Sequence, residues 1–173
     1  LTVVGMFPLA ASAQLNSAIA VTALAATKGE SLTVAAAGAP VFDLSTTVAN
    51  GSAPVVITTT WVLSPAKASI SLYAYFASAA IALTDGATPP NNIPSANVKG
   101  KVATGAPTVF TAFTETKAIG TAGATLTLFT ELITGVNKNK TRTDNLDVQI
   151  DQTGLLLPAG TFTGTLNIQA QAL

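Results

Sequence analysis

The amino-acid sequence predicts an all-β fold, an antiparallel sandwich with Greek-key connections. Ala, Thr, Ser, Val and Gly make up much of the 173 residues, and nine prolines and thirteen glycines interrupt them. Small and β-branched residues at this density favour strands and turns over helices. About ten short stretches alternate apolar and polar side chains, with turn signals between them, and this regular spacing is typical of a sandwich.

The residue inventory argues against several classes of function. Eight basic and eight acidic side chains balance each other, so no basic surface for nucleic acid is predicted. Histidine and cysteine are absent, which removes the commonest general base, the thiol nucleophile and nearly all zinc chemistry. We therefore expect no enzyme activity, no metal or cofactor, and no nucleic-acid partner.

The first 26 residues carry no charge, and we interpret them as an extended N-terminal arm preceding a β-sandwich domain at 27–173. Apolar side chains alternate along the arm in two sets, as on one face of a strand: Val3, Gly5, Phe7 and Leu9, and then Leu15, Ile19 and Val21. Three alternatives stay open: residues 14–26 as the domain's first strand, residues 1–13 as a secretory-signal remnant, and a transmembrane helix. Pro8 and several polar residues weigh against the helix, so no membrane span is expected in the mature protein.

Along the rest of the chain, alternation and turn signals predict ten strands: 30–36, 40–44, 55–63, 67–76, 79–83, 98–102, 108–114, 124–133, 145–151 and 160–173. Trp61 shares the apolar face of its strand and is expected near the centre of the core. Three prolines predict a surface loop at 87–97. The basic residues at 135–143 predict a solvated polar turn.

The closing strand, 160–173, shows the strictest alternation. Phe162, Leu166 and Ile168 fall on one face, and polar residues fall on the other. An isolated strand cannot satisfy its backbone donors and acceptors, so this one must lie beside others. We therefore expect these three apolar side chains to point into a core.

Both ends of the sequence resemble a known family. The run LPAGTFTGTLNI at 157–168 resembles the closing strand of chaperone–usher pilins and of the spore-coat-U-like domains related to archaic pili. The run SAIAVTA at 17–23, followed by SLTV at 31–34, is similar to the first two strands of that family. Many members place a cysteine just before the second strand, where this chain has Ser31 or Leu32, so their usual disulfide has no counterpart here.

The resemblance implies an incomplete immunoglobulin-like sandwich that lacks one strand and receives it from the N-terminal arm of the next subunit. Identical subunits then form a filament, with a periplasmic chaperone and an outer-membrane usher as further partners. The acceptor groove is expected at Phe162, Leu166 and Ile168 of the closing strand, with Trp61. Which half of the arm inserts stays open: the resemblance favours Leu15, Ile19 and Val21, and Val3, Gly5, Phe7 and Leu9 form the other set.

The leading functional expectation is a structural subunit of an extracellular filament, secreted through the periplasm and serving surface attachment or biofilm. The alternative, from a different class, is a monomeric secreted binding module whose contact surface is the loop at 87–97 with Tyr73 and Tyr75. A hydrolase ranks third, because no nucleophile–base pair can be assembled from these residues.

Overall fold

The computed structural model of the protein describes residues 25–173. The strands in this part of the chain are β1 (Ser31–Ala37), β2 (Val48–Asn50), β3 (Val55–Val62), β4 (Ser69–Tyr75), β5 (Leu83–Thr84), β6 (Asn92–Ile93), β7 (Val98–Val102), β8 (Thr111–Ala112), β9 (Thr125–Leu132), β10 (Asn139–Asp151) and β11 (Asn167–Ala172). A single turn of 3₁₀ helix at Ser95–Asn97 is the one helical element between residues 25 and 173. None of these described residues forms a helix with the length and hydropathy that a membrane crossing requires.

Two antiparallel sheets hold most of the strands. The larger sheet has the order β1-β3-β10-β7-β8, and β2 pairs with the final residues of β10. The smaller sheet has the order β11-β4-β9, and β5 and β6 form a separate short ladder. The first and last described strands, β1 and β11, are therefore edge strands of different sheets.

The two larger sheets share one hydrophobic core. Ile57 and Trp61 of β3 and Leu146 of β10 are fully buried, and so are Ile70 and Leu72 of β4 in the other sheet. Burial of these large side chains is the main favourable term that holds the sheets together. The all-β, antiparallel prediction is confirmed, and the two sheets around a common core are consistent with a β-sandwich.

The two ends of this body can be named from β10, which spans roughly 40 Å at the usual rise per strand residue. Residues Ser31, Val62 and Asn139 lie in register at one end, which we call the Ser31 end. The opposite end, where β10 finishes against β2, is called the Asp151 end. These names locate the site described below.

Several predicted strands are present within one or two residues of their expected bounds, and others are shorter. The stretch 40–44 contributes only an isolated bridge between Phe42 and Gly51. The predictions 79–83 and 108–114 correspond to two-residue strands, β5 and β8.

The predicted polar turn at 135–143 is wrong for its second half, because β10 already begins at Asn139. Lys140 and Arg142 do not lie at a solvated tip. Lys140 pairs with Glu131 at 2.7 Å, and Arg142 pairs with the buried Asp144 at 2.7 Å. Carboxylate partners make these strand positions acceptable for basic side chains.

The closing strand is also shorter than predicted. Regular pairing of β11 with β4 begins only at Asn167, because the preceding residues turn to the β5–β6 ladder. The backbones of Thr163 and Thr84 exchange two hydrogen bonds of 2.9 Å. The predicted loop at 87–97 contains β6 and the 3₁₀ turn, and Ile93 and Ser95 within it are fully buried.

Candidate functional site: a groove between the first and last strands

A groove opens beside β1 and β11, and Ala36 and Ile168 are the residues of these two strands that line it. Elsewhere along their length the two strands lie close to each other. Among residues 25–173, β1 pairs only with β3, and β11 pairs only with β4. Each strand therefore has one edge whose backbone N–H and C=O groups take no part in a ladder of the described residues. No ladder joins the two sheets at this side of the core, although β1 and β11 lie close to each other. An unpaired strand edge is a template for an added strand.

The groove has a volume of about 770 Å³ and extends to the Asp151 end. Its walls are mainly apolar, and Asp43 is the one charged side chain among the described residues that line it. The larger apolar side chains of the lining are Phe42, Leu44, Val55, Phe76, Leu83, Val98, Val148, Ile150, Phe162, Leu166 and Ile168. A cleft of this size and chemistry suits an apolar, uncharged occupant.

The inner faces of both bordering strands are only half covered. Leu32 and Val34 of β1 and Ile168 of β11 are half-buried and pack against the core. Their partners in register on the neighbouring strands, Trp61, Thr59 and Ala74, are fully buried. The core is therefore less completely covered at β1 and β11 than at the central strands of the two sheets.

Local sequence explains why β1 stops and opens one wall. Gly38 follows β1 with φ of 108°, a conformation that favours glycine. A Cβ at this position would also lie 2.8 Å from the carbonyl oxygen of Pro54. The chain then leaves the ladder, and the Val41 N–H donates to Ser52 Oγ at 3.1 Å. This places Phe42 in the groove wall.

The opposite wall is formed by the segment that precedes β11. Gly164 packs directly against the backbone of Ala82, where any side chain would clash with the Ala82 carbonyl oxygen. This contact and the Thr163–Thr84 bonds hold the segment away from β1. Phe162 and Leu166, on either side of Gly164, line the groove.

The structure brings together three of the four acceptor residues that the sequence indicated. Phe162, Leu166 and Ile168 line the groove. Trp61 does not line it; this side chain is fully buried farther along β3, toward the Ser31 end. Its Nε1–H donates to the Asn137 carbonyl oxygen at 2.8 Å. All seven proposed donor residues of the arm, from Val3 to Val21, lie outside the described residues.

Sequence reasoning did not identify several groove residues. Val55 and Phe76 belong to the predicted strands 55–63 and 67–76, and they line the groove because they lie at strand ends next to it. Leu83 reaches the groove through the β5–β6 ladder. The alternation of apolar and polar residues shows which side chains point inward, but it does not show which of them neighbouring strands leave exposed.

The surface proposed for a binding module is partly covered. Tyr73 and Tyr75 of β4 are half-buried between β9 and β11. The Tyr75 hydroxyl donates to Gln169 Oε1 at 3.2 Å. The Asp85 carboxylate accepts hydrogen bonds from the Asn91 backbone and side chain, at 2.9 and 2.7 Å, which close the adjacent loop.

A charged cluster lies along the first half of β10, and none of its charged side chains lines the groove. The Asp144 side chain is fully buried and accepts hydrogen bonds from Arg142 and from Thr104 Oγ1. The Arg142 guanidinium also lies 4.3 Å from the centre of the Phe129 ring. Hydrogen bonding to Asp144, opposed by burial, raises the pKa of Arg142. This guanidinium therefore stays protonated and serves as a structural partner.

Glu131 links this cluster to the surface. Burial raises its pKa, but hydrogen bonds from Lys140 and Asn137 and the positive charges of Lys140 and Arg142 outweigh that effect, so the pKa is lowered. The carboxylate is ionised at neutral pH and unsuited to act as a general acid there. No group of three or more potential metal ligands is present in residues 25–173.

Comparisons of the chain with protein-family models, with curated proteins and with solved structures gave no match.

Proposed function

We propose that the protein is the structural subunit of an extracellular filament, and that each subunit receives a strand from the N-terminal arm of its neighbour. In this proposal the described body is an incomplete immunoglobulin-like Greek-key sandwich. The observation that carries the proposal is the apolar groove toward the Asp151 end, which borders β1 and β11, two strands that each have an unpaired edge among the described residues.

The chemistry of the arm supports this pairing. Residues 1–26 are uncharged and carry alternating apolar side chains, which is what a strand added between two apolar walls requires. Burial of four or five such side chains contributes on the order of 8–12 kcal/mol before the costs of association and ordering. That gain is large enough to hold a filament without disulfides.

The direction of the chain supports donation between copies. The arm joins the body at Ser31, whereas the groove extends to the Asp151 end. A neighbour's arm can enter from that end without reversing, but a subunit's own arm needs a turn before β1 to reach the same place. Donation from copy to copy is head-to-tail and therefore continues into a filament.

The proposal also includes the route and the use of the filament. An exposed apolar groove promotes aggregation, so a periplasmic chaperone would cover it before an outer-membrane usher exchanges it for the next arm. The assembled protein would lie at the cell surface and serve attachment or biofilm. It carries out no catalysis and needs no cofactor.

A mixing experiment tests the proposal. One variant lacks residues 1–26 and so has a groove but no donor. The second variant, Ala36→Arg, keeps its arm but carries a large charged side chain in the groove wall, where Ala36 is exposed. Neither should polymerise alone, and their mixture should give discrete one-to-one dimers by light scattering coupled to size exclusion.

The matched control is Ala35→Arg, which places the same side chain at an exposed position on the other face of β1. This variant should polymerise like the unmodified protein. Undiminished polymers from the arm-deleted variant would exclude the arm as the link. A monomeric unmodified protein that keeps its stability after the deletion would favour the monomeric binding module instead.

A further inference from the structure

The charged side chains of the protein are unevenly distributed between its two ends. All sixteen lie within the described residues, and ten of them form ion pairs with each other. The six that form no ion pair within residues 25–173 are Lys28, Glu30, Asp43, Lys67, Asp85 and Lys138. Because these six charges are not neutralised by an ion pair among the described residues, their positions determine how charge differs between the two ends.

The three lysines without an ion pair lie at the Ser31 end. Lys28 precedes β1, Lys67 lies in the connection from β3 to β4, and Lys138 lies in the connection from β9 to β10. The Leu63 N–H donates to the Lys138 carbonyl oxygen at 2.7 Å, which ties the last two connections together. Glu30 is at the same end and accepts from the Ser64 N–H. This end has an excess of two positive charges among the six.

The two aspartates lie toward the opposite end. Asp43 is part of the groove wall, and Asp85 follows β5, whose Leu83 also lines the groove. A hydrogen bond from the Ser45 backbone lowers the pKa of Asp43. Hydrogen bonds from the Asn91 side chain and from the Ala87 and Asn91 backbones lower the pKa of Asp85. Both carboxylates are negatively charged at neutral pH.

Each end also exposes a large apolar side chain next to these charges. Val136, two residues before Lys138, is 94% exposed. At the other end Leu156, in the segment that follows β10, is 99% exposed. Neither side chain contributes to the core, so neither is explained by folding of the single subunit.

We propose that the Ser31 end of one copy docks on the Asp151 end of the next, with Lys67, Lys138 and Val136 facing Asp43, Asp85 and Leu156. The contact rests on the proposed filament and adds to it a second interface between the subunit bodies. A head-to-tail arm places these two ends together, and their unpaired charges are opposite in sign. The occupant of each end is therefore another copy of this chain.

This second contact changes how the filament assembles. Complementary charges mainly raise the rate of encounter and orient the partners, and salt screens the effect. The arm supplies the lasting link, and the charged ends guide it toward the groove. Lys28 follows the arm directly, so it reaches the mouth of the groove, where Asp43 lies, once a neighbour's arm is inserted.

The test measures the initial rate of polymerisation of the full chain by light scattering at low and high salt. The double variant Lys67→Glu with Lys138→Glu reverses the charges at the Ser31 end. The double variant Asp43→Lys with Asp85→Lys reverses the charges at the Asp151 end. Each double variant should polymerise at least tenfold more slowly than the unmodified protein at low salt. The polymerisation rate of the quadruple variant should return to within about threefold of the rate of the unmodified protein, because the charges at the two ends are again opposite in sign.

Two controls separate the inference from the function on which it rests. Asn145→Asp lowers the net charge by one, as Lys138→Gln does, but Asn145 is an exposed residue at the centre of β10, so these two single variants are compared at the same salt. Val136→Asp, at the Ser31 end, should slow assembly, and Val109→Asp, 68% exposed on the flank, should not. If both charge-reversed double variants polymerise as fast as the control variants, the contact between the ends is overturned. The proposed filament would still stand in that case if deletion of residues 1–26 stopped polymerisation.

Discussion

The proposed strand donation predicts a large effect of a single buried carboxylate in the arm. In the groove, alternate arm side chains would lie among apolar walls that include Val55, Phe76 and Ile168. Ile19→Asp or Phe7→Asp, depending on which half of the arm inserts, would place a carboxylate there. Asp43, the one charged group in the described lining, repels it.

The size of the effect follows from the chemistry of the groove. An aspartate with an ordinary pKa near ~3.9 must be neutralised to enter an apolar site, which costs about 4 kcal/mol at pH 7. Loss of the buried Ile19 or Phe7 side chain adds about 1.5–3 kcal/mol. Together these terms weaken the contact between subunits by roughly 10⁴-fold.

The assay is the critical concentration for polymerisation, measured by sedimentation of the full chain at pH 7. Ala20→Asp and Met6→Asp are the matched controls, because they introduce the same charge at neighbouring positions on the opposite face of the arm. One of the two test variants should fail to sediment at any accessible concentration, and that variant identifies the inserting half. Critical concentrations within tenfold of the controls for both test variants would refute the donated strand.

Two further predictions concern the body of the subunit. Asp144→Ala leaves the Arg142 guanidinium without its buried partner. This variant should lower the free energy of unfolding by about 3–5 kcal/mol and the melting temperature by about 6–20 °C. The double variant Arg142→Met with Asp144→Leu should lose less stability, and an equal loss in both variants would contradict the pairing. The hydrogen bond from Lys99 is the main cause that lowers the pKa of Asp151 in the folded state, so its stabilisation is present above the unfolded value near ~3.9 and is lost as pH falls below it. Between pH 7 and pH 2.5 the urea midpoint should therefore fall further in the unmodified protein than in Asp151→Asn, and parallel changes would exclude this contribution.

The sequence predicted the fold class and the central strands because alternation directly reports which residues face a core. It failed at β10, where Lys140, Arg142 and Asp144 occupy positions that alternate with Thr141 and Thr143. Charged residues at such positions are acceptable only because Glu131, Thr104 and the Phe129 ring provide partners. Those partners are distant in sequence, so no local pattern indicates them.

The groove was predicted only in part for a related reason. Phe162, Leu166 and Ile168 belong to one alternating stretch, and the sequence placed them together. Gly164 marks the point where that stretch bends against Ala82, but a glycine in a strand pattern does not specify which backbone it approaches. Whether an apolar face is covered depends on all neighbouring strands, so it can be judged only once the sheet order is known.

The position of β1 has a mechanical consequence for the proposed filament. Tension would enter each body through the arm at Ser31 and leave through the neighbour's arm lying beside β1 and β11. Seven residue pairs join β1 to β3, and the hydrogen bonds of antiparallel strands run perpendicular to the strands. A pull along β1 therefore loads these bonds in shear, so they must yield together, and the force that a filament withstands would be set by this ladder.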